Sequence, residues 1–270
     1  MCLCILKGEE ETGGDRGGSK RRQGTVLCLL FPWGKGDTEP SPVSSTPCPL
    51  RRGRTMQTKA ILFDLDGVIL DSEKEYRRFW MQAAEELGFP LKEDVVLRLR
   101  SCDSSIARKI VDEAAGEGGA YDRIRARRKI LMKEFLSEHT YELKPGVKAF
   151  LEKCRELPVR KVIVTSSRPE EKMPELERLG IGQYFDSFVS VKEVKRGKPF
   201  PDVYLFACRK LGMEPGECLA IEDSPNGVRS AYSAGVKVVM VPDLTGPTDE
   251  LRRMCRVADR IEEVMEYLKN

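Results

Sequence analysis

Asp64 and Asp66 stand two residues apart in Phe63-Asp64-Leu65-Asp66-Gly67-Val68, directly off an apolar run, with Asp71-Ser72-Glu73 following. Two carboxylates at i and i+2 at a strand end, before a glycine, can divide a reaction between them. The first can attack and bind metal, while the second, past the turn, reaches over as acid and base. Thr165-Ser166-Ser167 ends a second apolar run. A hydroxyl followed by backbone N–H groups at that place forms a cradle for phosphate, and the plainer reading is a serine-capped turn into a helix. Lys198 lies in Gly197-Lys198-Pro199-Phe200-Pro201-Asp202, just before a helical stretch, where in isolation it reads as a surface lysine. Ile221-Glu222-Asp223-Ser224-Pro225-Asn226-Gly227 places two adjacent acids at the end of an apolar strand. Burying both charges is costly unless a metal or hydrogen bonds compensate.

The elements that must carry these residues are legible from residue 59 onward. Short β-rich apolar runs recur at Ala60–Leu65, Val159–Thr165, Phe185–Val191, Cys218–Ile221 and Val236–Val241. Amphipathic helical stretches, Val147–Glu156, Glu170–Leu179, Pro201–Leu211 and Asn226–Ala234, lie among the later runs. Strands alternating with helices predict βαβ units, and so an α/β fold with a Rossmann-like parallel sheet. Gly180, Gly212 and Gly235 fit the C-terminal caps of such helices. The alternation breaks between the first strand and Val159, where Glu73–Leu87, Val95–Arg100, Ser104–Ala115 and Tyr121–Glu138 read as helices. An all-helical insert of this length predicts a small cap over the carboxyl ends of the strands, where ligands bind in open α/β sheets.

Charge and composition narrow the partners. The chain of 270 residues carries 46 Lys/Arg against 43 Asp/Glu. The surplus lies wholly in residues 1–55, with nine bases to six acids, so the remainder is neutral and gives no case for nucleic acid. No run approaches the roughly 18 apolar residues of a membrane span. Residues 1–55 are Gly/Pro-rich and aperiodic and read as a disordered extension. The alternative is a mis-assigned start, with Met56 as the true initiator and Arg51-Arg52-Gly53 a translated ribosome-binding site. Cys102, Cys154, Cys208, Cys218 and Cys255 form no CxxC pair, which argues against zinc and disulfides and for a cytoplasmic protein.

Taken in order, the four motifs resemble the haloacid dehalogenase superfamily of aspartate-nucleophile phosphotransferases, in its helical-cap phosphatase and β-phosphoglucomutase-like branch. The resemblance spans residues 59 to about 245. It implies a core of residues 56–72 and 142–270, a cap of residues 73–141 and a hinge at Leu70–Glu73. It implies Asp64 as nucleophile, Asp66 as general acid/base, and Lys198 paired with the nucleophile and the phosphoryl group. Thr165, Ser166 and Ser167 would bind phosphate. Mg²⁺ would be held by Asp64, Asp223, the Asp66 backbone carbonyl and, directly or through water, Glu222. The expected activity is hydrolysis of small phosphorylated metabolites, sugar phosphates foremost, by a monomer through an aspartyl-phosphate.

Within that superfamily dehalogenation is disfavoured, because dehalogenases lack the second aspartate and Asp66 is present. A non-catalytic sensor of phosphorylated metabolites would be expected to lose Asp64 or Asp66. Lys74 and Lys92, the candidates for Schiff-base chemistry, lie in charged surroundings and read as solvated. His139 reads as a hinge or surface residue, and the basic run Arg123–Lys129 as a solvated helix face. The main alternative is a sugar phosphomutase. The β-phosphoglucomutase-like members carry a cap loop reading roughly Leu-Lys-Gly-x-Ser-Arg, whereas this chain has Leu99-Arg100-Ser101-Cys102-Asp103-Ser104. The base at Arg100 is kept, but serine stands at the glycine and arginine positions. That loss favours a phosphatase.

Overall fold

The computed structural model describes residues 57–268. The expectations for residues 1–55, and Met56 as initiator, lie outside the described residues. Strand β1 (Ala60–Phe63) is followed by four helices, α1 (Glu73–Glu86), α2 (Glu93–Leu97), α3 (Ser104–Ala115) and α4 (Ala120–Glu138). The alternating part then runs α5 (Val147–Arg155), β2 (Arg160–Thr165), α6 (Pro169–Arg178), β3 (Ser187–Ser190), α7 (Asp202–Leu211), β4 (Cys218–Glu222) and α8 (Pro225–Ser233). It closes with β5 (Lys237–Met240), α9 (Asp249–Met254), β6 (Arg256–Val257) and α10 (Met265–Leu268).

All six strands are parallel in the order β3-β2-β1-β4-β5-β6. The predicted α/β class with a parallel sheet is what forms. Both faces of the sheet are covered, which explains why β1 is apolar throughout rather than alternating. Ile61 and Phe63 pack on one side with Val147, Phe150 and Leu151 of α5. Ala60 and Leu62 pack on the other with Val203, Tyr204 and Ala207 of α7 and Val228 and Ala231 of α8. Since β1 lies between β2 and β4, chain direction across the sheet reverses beside it, the place where an open α/β sheet leaves a crevice at its carboxyl edge.

Within the insert, Phe79, Trp80, Ala83 and Ala84 of α1 and Ile124, Leu131 and Met132 of α4 are buried in an apolar cluster that is continuous with the sheet core. Two details differ from the sequence expectation. The helix expected at Val95–Arg100 forms two residues earlier, where Glu93 and Asp94 favour a helix N-terminus, and the chain leaves it for the loop at 99–104. Strand β6 has no apolar run to announce it, being two residues long with Arg256 exposed at the sheet edge. No helix among the described residues is long and apolar enough to cross a membrane. The five cysteines there are free.

Candidate active site

The carboxyl ends of β1 and β4 bring Asp64, Glu222 and Asp223 together, all buried. Lys198, placed by the loop before α7, is buried among them. Its Nζ donates to Asp64 Oδ1 at 2.5 Å, to Glu222 Oε1 at 2.7 Å and to the Val164 carbonyl at 3.1 Å. Tyr204 of α7 also donates to Glu222 Oε1. The backbone makes room for this cluster with two glycines. A Cβ on Gly67, at φ 90°, would meet Asp223 Oδ2 at 2.4 Å, and one on Gly227 would meet Glu222 Oε2 at 1.8 Å. Those contacts are far inside van der Waals range, so neither position accepts a side chain without moving an acid.

The acid cluster is short of positive charge. Burial pushes the Asp64 carboxyl up to about 7, against the pull of Lys198 and with the push of Glu222. Burial, then the charges of Glu73 and Asp64, hold Asp223 well above the ordinary range. Glu73, the first residue of α1, is likewise pushed by burial, then by Asp66, to about 8. One oxygen each of Asp64 (Oδ2), Glu222 (Oε2) and Asp223 (Oδ1) is buried without a hydrogen-bond partner. Ligand oxygens of these three residues lie within 4.8 Å of one another. An all-oxygen donor set with unsatisfied carboxylates fits a hard divalent cation such as Mg²⁺.

A stability measurement checks that fit. Unfolded, Asp64 and Glu73 titrate near 3.8 and 4.5. Between those values and their folded ones the native state holds protons that the unfolded chain has released. Their contribution to stability therefore falls as pH rises from about 4 to about 8. A divalent cation offsets that loss, so Mg²⁺ is expected to raise the unfolding temperature much more at pH 8 than at pH 5. An equal shift at both values would contradict the site.

Asp66 points away from this cluster. Its Oδ1 accepts from Ser72 Oγ at 2.6 Å and from Lys172 Nζ at 2.5 Å, and its Oδ2 from Ser167 Oγ at 2.7 Å. Burial alone would raise this carboxyl, but the charge of Lys172 and the hydrogen bonds from Lys172, Ser72 and Ser167 hold it below the usual range. Lys172 is a residue that the sequence reading missed. It is buried in α6 with its ammonium 4.5 Å from the Tyr141 ring centre and 5.2 Å from that of Tyr76. It thereby joins the core to both chain crossings of the helical insert. Its sequence signal is its spacing from the buried Leu176, four residues on along the same helix face. Lys172→Met leaves a buried carboxylate without its cation, and an unfolding titration is expected to show a loss of about 3–5 kcal/mol. A loss under about 1 kcal/mol would place Lys172 outside the pair's energetics.

Thr165 closes β2 at the same edge as Asp64, and Ser166 follows it. Both line a cavity of about 330 Å³ between the helical insert and the strand ends, which Asp64 and Asp66 also line. Ser167, grouped on sequence with the phosphate donors, lines the same cavity, with its own hydrogen bonds made to neighbours. Its N–H donates to Thr165 Oγ1 at 3.0 Å and its hydroxyl to Asp66. In this arrangement it orients the second aspartate.

The loop at 99–104 is seated on the core. Asn226 Nδ2 donates to the carbonyls of Arg98 and Arg100, and the Asp103 carboxylate accepts from Gly197 N at 2.7 Å. Ser101 adopts φ 48°, so this chain keeps, with a serine, a left-handed turn that favours glycine. Arg100 is buried, 3.2 Å from Asp223 Oδ2, and also donates to Thr245 Oγ1.

The remaining candidates divide. Lys74 is exposed and paired with Asp71, and His139 stacks on Phe135 at the end of α4. The solvated-face reading of Arg123–Lys129 holds only in part. Arg123 and Arg127 pair outside with Glu117 and Glu86, whereas Arg125, Arg128 and Lys129 line the cavity. The reason is helical spacing, because positions i, i+3 and i+4 share one face.

Residues 61–241 match the haloacid dehalogenase-like hydrolase family. A phosphorylated carbohydrates phosphatase of Thermotoga maritima is 32% identical over 183 residues, covering 66% of this chain and 82% of that protein. The β-phosphoglucomutase of Bacillus subtilis is 30% identical over 189 residues, covering 68% of this chain and 83% of that protein. The crystal structure of CbbY from Rhodobacter sphaeroides in complex with phosphate superposes with a TM-score of 0.63 at 22% identity. It covers 77% of this chain and 96% of that one, and shows the shared fold. With the two-aspartate strand end, the buried lysine and the paired acids gathered at one sheet edge, this chain belongs to the haloacid dehalogenase-like hydrolases.

Proposed function

We propose that this chain is a Mg²⁺-dependent phosphatase of small phosphorylated metabolites, sugar phosphates foremost, working through an aspartyl-phosphate on Asp64. The observation that carries the reading is Asp64 itself. One of its oxygens is fixed by Lys198, the other is unpartnered, and the residue lines a cavity large enough for a small metabolite. A carboxylate whose position is fixed by Lys198 is oriented toward a phosphoryl group in that cavity, and such orientation supplies much of the rate. Lys198 and the hydroxyls of Thr165 and Ser166 offset the negative charge of a phosphoryl group brought to Asp64. Asp64, Glu222 and Asp223, with the Asp66 carbonyl, would hold the Mg²⁺, which when bound neutralises phosphate and nucleophile together.

Asp66, kept as a carboxylate by Lys172, is in the form that takes a proton from the water attacking the intermediate. Donation to the leaving oxygen requires it to take up a proton and move off Lys172. The helical insert, residues 73–141, acts as a cap that excludes bulk water. The relatives named as a carbohydrate phosphatase and a sugar phosphomutase support phosphorylated sugars as the substrate class.

The mutase reading has one observation in its favour, the base retained at Arg100, but that guanidinium is turned onto Asp223. The deciding experiment supplies β-glucose 1-phosphate with Mg²⁺ and catalytic glucose 1,6-bisphosphate. Inorganic phosphate without isomerisation supports the phosphatase. Glucose 6-phosphate formed much faster than phosphate overturns it.

A further inference from the structure

Three of the cations on α4 have no assigned work in the chemistry above. Arg125, Arg128 and Lys129 line the same cavity as Asp64, at the end formed by the helical insert. None of the three forms an ion pair among the described residues. Arg128 lies beside two aromatic rings, its guanidinium carbon 5.0 Å from the ring centres of both Tyr76 and Trp80, and its buried Nε has no hydrogen-bond partner. Among the described residues no acid on the cavity wall forms an ion pair with the cluster, although the charge of Glu171 partly supports Lys129. Asp64, Asp66 and Glu73 belong to the strand-end site, Asp103 is bonded to Gly197 and Ser105, and Glu171 lies 4.0 Å from Arg168. Crowding is felt electrostatically: burial, then Arg125, lower the ammonium of Lys129 below its ordinary range, and the same two causes act on Arg128 with Tyr76 opposing.

Like charges gathered on one wall of a half-enclosed cavity, with one donor orphaned, are stabilised by an anion and by little else. We infer that Arg125, Arg128 and Lys129 form a subsite for a second anionic group, so that the substrate is a phosphomonoester carrying a carboxylate or a second phosphate at the end away from Asp64. The inference rests on the phosphatase reading for the position of the reacting phosphate and adds the chemistry of the other end. The aromatic walls at Tyr76 and Trp80 hold the Arg128 guanidinium in place, which favours a planar, two-pronged contact with a carboxylate or phosphate.

Equilibrium binding to the Asp64→Asn variant, followed by calorimetry with Mg²⁺ present, tests this without turnover. Two pairs of probes differ by one distal charged group: glucitol 6-phosphate against 6-phosphogluconate, and fructose 6-phosphate against fructose 1,6-bisphosphate. The doubly anionic member is expected to bind roughly ten- to hundredfold tighter in at least one pair, the first reporting a carboxylate and the second a phosphate. Adding Arg125→Gln and Lys129→Gln is expected to bring that ratio down to about threefold or less. Equal affinity within both pairs overturns the inference, and so does a preference that the charge-removed variant retains. Hydrolysis of the same four esters by the wild-type chain tests the phosphatase reading separately, so either can fail alone.

Discussion

Asp64→Asn is expected to lower phosphatase kcat by roughly 10⁴–10⁶-fold, the scale on which an enzyme loses its covalent nucleophile. The substitution preserves shape and leaves Lys198 its bonds to Glu222 and the Val164 carbonyl. The amide nitrogen, however, is no nucleophile toward phosphorus, and the side chain brings no negative charge to a metal. The same change should make the metal-free protein more stable at pH 8. There the wild-type carboxyl, pushed up to about 7 by burial, is ionised in a place that disfavours its charge. Loss of activity together with a raised unfolding temperature is the signature of a residue kept for chemistry at the expense of stability. A variant that keeps a large share of turnover would remove Asp64 from the reaction.

Asp66→Asn is expected to cost roughly 10²–10⁴-fold in kcat with an alkyl phosphate substrate, the usual range for one general acid/base. The effect should depend on the leaving group. An alkoxide needs a proton as it departs, whereas p-nitrophenolate leaves without one, so with p-nitrophenyl phosphate the first step should be nearly spared. The second step, attack of water on the aspartyl-phosphate, still lacks its base. Kinetics of the variant with the two esters check this. Equal losses from the first step onward would mean that Asp66 acts by holding structure with Ser72, Lys172 and Ser167 rather than by moving protons.

Much of this site is legible in the sequence because its parts are local. Ala60–Phe63 is an unbroken apolar run, so the strand, its end and the acid that follows can all be placed from residues 60–64. The same holds for Glu222 and Asp223 after Cys218–Ile221, and for Thr165 after the run that ends at Val164. What these segments share is a sheet edge, and the βαβ alternation implies that edge.

Lys172 shows where such reading stops. Glu170, Glu171 and Lys172 look like a solvated first turn, yet the lysine is buried, because Asp66, Tyr76 and Tyr141 converge on it from three distant segments. No local pattern encodes that meeting. Arg125, Arg128 and Lys129 are intermediate. Their common helix face can be read from spacing, but whether that face meets water or a cavity depends on how α4 packs on α1 and on where the insert lies over the sheet. Ser167 is a third kind of case, since its place in the motif is plain and its hydroxyl nonetheless turns to Asp66.

A covalent phosphoryl group on Asp64 becomes visible in the Asp66→Asn variant. With p-nitrophenyl phosphate and Mg²⁺ the variant should release p-nitrophenol in a rapid burst equal to the enzyme present, then turn over slowly. Acid quenching and peptide mapping during the slow phase should find the phosphoryl group on the peptide that contains Asp64. Steady turnover with no burst and no phosphorylated peptide, or phosphorylation of a different residue, would exclude Asp64 as the phosphoryl acceptor.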